Sequence, residues 1–234
     1  MRITRDPVGE SPKMQRAFQK ETMRFRDLTF KKKLEYIWDY YKWYFVFAAC
    51  FITIAVITVP TIIYNQKEVA LYAVFLNSNI PSQDETTLMD DYVENKQIEM
   101  DNKRLVLDTS MHINRANPSE VASHSSQKML ALFASKSMDV VIEDEENVKF
   151  YAKENTYVDL RDVMTEEQLS RYEPLFYTAK SGDEGETGVF AVNVTDSPVL
   201  QSDNVFDDPV YFSITVHSQQ VDNALRFLDY LMGY

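Results

Sequence analysis

Few residues of this chain could do nucleophilic or metal chemistry. The three histidines, His112, His124 and His217, show no metal-ligand spacing, and the single cysteine, Cys50, lies inside an apolar run. No Gly-x-Ser-x-Gly turn, phosphate-binding loop or Gly-x-Gly-x-x-Gly fingerprint occurs. His217 and Ser218 are neighbours, but adjacency along the chain does not set a base against a nucleophile. Asp183, Glu184 and Glu186 crowd a glycine-rich stretch without the spacing of a calcium loop, and read as a solvated hairpin tip. The acids from Glu143 to Glu146 read as a helix N-terminus favoured by the dipole. The expectation is a protein that is not an enzyme and uses no cofactor and no metal.

What remains is a set of small polar residues at the ends of predicted strands: Asn77, Ser78 and Asn79, then Thr109 and Ser110, then Asp144, then His217 and Ser218. In open parallel sheets ligands sit beyond the carboxyl ends of the strands, where helix N-termini receive anions. Ordinary capping and turn chemistry uses the same residue types. Asp144 reads as an exposed loop carboxylate whose loss would weaken binding and barely affect folding.

The elements that must position these residues follow from periodicity. Val69–Leu76 is an unbroken apolar run and reads as a strand buried on both faces. Ser82 with Glu85 predicts a capping box and a helix to about Asn95. Lys103–Leu107 and Met138–Ile142 are two further strands, separated by a helix that begins at Asn117-Pro118-Ser119-Glu120. Strands alternating with helices imply parallel pairing. A short helix over Glu145–Lys153, an extended Tyr157–Leu160, a helix capped by Thr165 and Gln168 and stopped by Pro174, strands at Val189–Val194 and Val210–Val216, and a last helix from Ser218 complete the chain. The fold class is α/β, a mixed and mainly parallel sheet with flanking helices.

Before that domain lies a membrane segment. Trp43 to Tyr64 are 22 residues without a charge. As a helix they extend roughly 33 Å, enough for a hydrocarbon core of about 30 Å. Tyr36, Trp38, Tyr40, Tyr41, Trp43 and Tyr44 form an aromatic belt at one interface, and Pro60 falls in the last turns. Residues 1–42 hold 11 Lys/Arg against 6 Asp/Glu, and residues 67–234 hold 13 against 30. This asymmetry predicts a cytoplasmic N-terminus and an outer C-terminal domain. A cleaved signal peptide is the competing reading, but the region before the apolar run is long and no Ala-x-Ala site follows it. The expected organisation is a basic cytoplasmic segment over 1–42, a membrane helix over 43–64, a linker over 65–68 and an extracytoplasmic domain over 69–234. Ser11-Pro12 predicts a helix start, with Met14, Phe18, Phe25 and Leu28 on one face. That basic segment either lies on anionic lipid or is a solvated tail. Thr29 predicts the cap of a helix that runs on into the span.

The outer region carries a net charge of −17, which excludes nucleic acid as a partner. It has no cysteine, as expected of a bacterial surface protein large enough to fold without disulfides.

The run Met138-Asp139-Val140-Val141-Ile142, Glu143-Asp144, Phe150-Tyr151-Ala152 and Tyr157-Val158-Asp159-Leu160 resembles a segment of bacterial solute-binding proteins of the type 2 periplasmic-binding fold. Asp222-Asn223-Ala224 with Phe227-Leu228 is similar to their late helix. Leu34 to Trp43 resembles a group of uncharacterised single-pass membrane proteins of Gram-positive anaerobes. The resemblance covers about a third of the outer domain, which is much shorter than a two-lobed binding protein and implies a reduced second lobe. Together these readings predict a membrane-tethered extracytoplasmic module that contacts the lipid bilayer and binds a small solute or a neighbouring membrane protein. A ligand-free structural subunit of an envelope complex and an envelope hydrolase are the alternatives.

Overall fold

A computed structural model describes residues 29–83, 86–182, 185–202, 204–207 and 209–234. The expected amphipathic segment before residue 29, Glu85 of the expected capping box and the hairpin acids Asp183 and Glu184 lie outside the described residues. The chain divides into two compact units, Met1–Asn65 and Gln66–Tyr234.

In the first unit one helix, α1, runs from Phe30 to Asn65 with Pro60 inside it. Its portion Tyr41–Asn65 is long and apolar enough to cross a membrane. Phe51, Ile54 and Ile57 on it are all exposed. A helix apolar on every side and exposed along its apolar portion suits hydrocarbon rather than water. The hydroxyls of Thr53 and Thr61 donate to the carbonyls of Ala49 and Ile57 one turn back, so neither is left unsatisfied in an apolar medium.

The second unit is α/β. Its described residues form six strands, β1 (Glu68–Phe75), β2 (Lys103–Asp108), β3 (Val140–Asp144), β4 (Phe176–Lys180), β5 (Thr187–Asn193) and β6 (Val210–Ile214). Its described helices are α2 (Leu88–Lys96), α3 (Glu120–Ser135), α4 (Glu145–Lys153), α5 (Glu166–Tyr172), α6 (Pro198–Ser202) and α7 (Val221–Leu231). They surround one sheet of order β2-β1-β3-β6-β5-β4. β1 pairs parallel with β2 and with β3, as strands joined through helical crossovers must. The other half is antiparallel, β3 with β6, β6 with β5 and β5 with β4. The sheet is therefore mixed but not mainly parallel. The β4–β5 hairpin and the return of the chain into β6 reverse the strand direction.

Alternation along β1 builds two cores. Leu71, Ala73 and Phe75 face α2 and α7, while Val74 and Leu76 face α3 and α4. On the first face Tyr92 of α2 meets Phe227 of α7 edge to face, with ring centroids 5.1 Å apart. Local signals set several helix starts. Ser119 caps α3, Asp144 caps α4, and Thr165 with Gln168 forms a capping box on α5. The helix expected after Ser82 starts only at Leu88. The side chain of Gln83 accepts from the Leu107 amide on the outer edge of β2 at 2.9 Å.

Candidate functional site at the carboxyl edge of the parallel strands

β2 and β3 lie on opposite sides of β1, and α2, which follows β1, and α4, which follows β3, cover opposite faces. The connections therefore diverge between β1 and β3, where open α/β sheets place ligands. Asn77, two residues past β1, and Asp144, the last residue of β3, meet there.

Asn77 turns the chain in the left-handed region at φ 61, which asparagine tolerates better than most residues. Its Nδ2 donates to Asp144 Oδ2 at 2.7 Å and to the Ile113 carbonyl at 3.0 Å. Its Oδ1 accepts from the Ile113 amide at 2.8 Å. Asp144 also accepts from the Asn147 amide at 3.0 Å, as N-cap of α4, and from Asn147 Nδ2 at 2.8 Å. Asn147 is 1% exposed, and its Nδ2 also reaches the Ile113 carbonyl at 3.2 Å. With its NH2 group turned to these acceptors, its Oδ1 faces Arg115 and accepts from Nε at 2.7 Å. The Arg115 guanidinium sits 3.5 Å above the Phe150 ring and 4.9 Å from that of Tyr151. The segment from Met111 to Arg115 is thus stitched over the strand ends. Asp144 is half-buried and triply bonded, not the exposed loop carboxylate its position suggests.

Two clefts open around Arg115. One of about 470 Å³ is lined by Asn77, Ile113, Asn114, Arg115, Ala116, Asp144, Glu145, Glu146 and Pro209. A shelf of about 410 Å³ is lined by Arg115, Ala116, Glu146, Lys149, Phe150 and Lys153. Beside the first, the Tyr177 hydroxyl donates to Glu145 at 3.4 Å, and the Tyr177 and Tyr211 rings pair at 5.0 Å.

Beneath α4 lies a buried acid. Glu143 is 0% exposed, and its Oε1 accepts from the Tyr157 hydroxyl. Its Oε2 has no partner. Burial pushes its carboxyl up to about 8, although the Tyr157 hydrogen bond and the nearby Arg115 charge act against that shift. Tyr157 is pushed up by burial and by Glu143. The pair is therefore neutral at neutral pH, which suits its apolar surroundings.

None of the other expected residues lines either cleft. Ser78 and Thr109 are buried. Asn79 Nδ2 donates to the Asn204 carbonyl at 3.2 Å and to Asp207 at 3.1 Å, pinning the loop that precedes β6. Ser110 Oγ donates to Asp108 at 2.7 Å and accepts from Lys128 at 2.8 Å, within an ion pair that ties β2 to α3. His217 and Ser218 are not at this edge. β6 is antiparallel to β3, so its carboxyl end lies at the amino end of the parallel strands. There Ser218 Oγ donates to Asp139 at 2.7 Å, whose other oxygen accepts the Tyr72 amide at 2.9 Å. Among the described residues no three His, Cys, Asp or Glu side chains are grouped to hold a metal ion.

Arg115 and Asn147 were not among the sequence candidates. Asn147 carried a signal, since it stands three residues after the N-cap Asp144, where side chains reciprocate a cap. Arg115 carried none, because a loop arginine gains its meaning from what packs beneath it.

No protein-family model, curated protein or solved structure matches the chain.

Proposed function

We propose that this chain is a single-pass membrane protein whose α/β domain, on the outer side, is a binding module for a segment of a neighbouring membrane or envelope protein. The observation that carries the reading is the lattice of half-buried Asn77 and Asp144 with buried Asn147, which commits its polar atoms to the domain's own loop and to fixing Arg115. A site built to enclose a small solute keeps such groups free for the ligand. Here they hold one charged side chain between two open clefts, an arrangement that suits contact with a surface or an extended chain. Orientation rests on the charge asymmetry, and kinship with solute-binding proteins rests on the Met138–Leu160 resemblance. Neither bears on the choice of a protein ligand over a solute.

Photo-crosslinking in the native membrane tests the proposal. A photoreactive residue in place of Ala116, which borders both clefts, is expected to give a discrete protein adduct. One in place of Arg226, exposed on α7 across the sheet, is expected to give none. Adducts at both positions or at neither overturn the reading.

A further inference from the structure

Resting on that reading, we propose that the shelf beside Arg115 docks an acidic, partly apolar segment of the partner protein. Arg115, Lys149, Lys153 and Glu146 line the shelf, and Arg115 and Lys149 against Glu146 leave a net of +1 before Lys153 is counted. It stands on a region with 13 Lys/Arg against 30 Asp/Glu. Glu146, Lys149, Phe150 and Lys153 follow one another at spacings of three, one and three, so they share one face of α4. Phe150 stays 43% exposed even with a guanidinium stacked on it. It supplies an apolar floor between the cations.

Three cations elsewhere in the domain are neutralised in place. Lys128 pairs with Asp108, Arg161 with Asp159, and Arg171 with Glu167 and Asp229. Among the described residues no carboxylate pairs with Arg115 or Lys149. Asn147 and the Tyr151 hydroxyl take only part of the five N–H donors of Arg115. The remainder form a planar fork of the kind that carboxylates match. Because the ring and Asn147 already fix that fork, binding costs little side-chain entropy. The neighbouring cleft carries Asp144, Glu145 and Glu146 against Arg115, a net of −2, and repels a carboxylate. An acidic segment is therefore confined to the α4 side of Arg115. A long polyanion suits the shelf poorly, since it would run on over the acidic remainder of the domain. A short segment engages within a screening length of about 8 Å.

The test uses the full chain in neutral lipid nanodiscs and a fluorescent peptide of alternating Glu and Leu, with a Lys and Leu peptide as its counterpart, read by anisotropy. The Glu peptide is expected to bind, and the Lys peptide is not. Lys149→Glu, an exposed change that leaves the core alone, should weaken the Glu peptide about tenfold or more, and Arg115→Ala likewise. Arg226→Glu should leave it unchanged. Preferential binding of the Lys peptide, or equal affinity in Lys149→Glu and the parent, overturns the inference. The Ala116 crosslink separates the two levels. If the adduct forms and survives Lys149→Glu, the binding module stands and the acidic partner falls. If no adduct forms at Ala116, the module reading itself falls.

Discussion

Replacing Glu143 with glutamine should make the domain's stability less dependent on pH. Glu143 is held neutral by burial, with its carboxyl raised from an ordinary 4.5 to about 8. The groups that face it are Tyr157 and Tyr151, Asp144 on its own strand and Arg115 from the covering loop. A raised carboxyl means that the folded state keeps a proton the unfolded chain has released. Stability from this group is fully present below about 4.5, declines as pH rises, and levels off above about 8. The slope approaches about 1.4 kcal/mol per pH unit, so the parent loses about 2.5 kcal/mol between pH 5 and pH 7 from this residue alone. The Glu143→Gln side chain has the same shape and no charge to suppress, and should remove that slope. Both tryptophans, Trp38 and Trp43, lie in α1, so unfolding of the domain is best followed by far-ultraviolet circular dichroism in urea, with the full chain in neutral detergent. Asp139, also raised by burial, adds a slope of the same sign at acid pH. The informative quantity is therefore the difference between parent and variant at each pH. If that difference is the same at pH 5 and pH 7, Glu143 is not a buried neutral acid and the reasoning fails.

Four further outcomes are expected. Asp144→Ala should cost about 3 kcal/mol in urea unfolding, from a lost cap worth about 1 and a charge-assisted bond to Asn77 worth about 2; a loss below about 0.5 kcal/mol would mean that the lattice is ornamental. Val140→Asp should leave no folded domain by circular dichroism, because it puts a charge at a position with 0% exposure in the strand between β1 and β6. Ser218→Ala should cost about 1 kcal/mol through its bond to Asp139 and leave the Ala116 crosslink intact; loss of the crosslink would place Ser218 in the site after all. Protease added to intact protoplasts should digest residues 67–234 and spare the N-terminal segment, and protection of the domain would reverse the orientation.

What the sequence determined by itself was local in physical origin. Crossing a bilayer requires only length and apolarity, so 22 uncharged residues were enough to mark the helix. Val69–Leu76 declared a buried strand by continuous apolarity and Met138–Ile142 by its apolar Val140-Val141-Ile142, and the intervening helices made them parallel neighbours. Ser119 and Thr165 announced helix starts because caps are satisfied within a single turn. The tertiary structure decided whatever depends on residues distant in the chain. β4 went unseen because its residues are only partly buried at a sheet edge and show no apolar run. The direction of β6 is fixed by its partners β3 and β5, and that direction carried His217 and Ser218 to the far edge. The join of Asn77 to Asp144 spans 67 residues, and that of Asn77 to Ile113 spans 36. No periodicity encodes such contacts. They arise when crossovers return separate loops to one edge of the sheet, and only there does an ordinary loop arginine, Arg115, become a fixed charge above an aromatic ring.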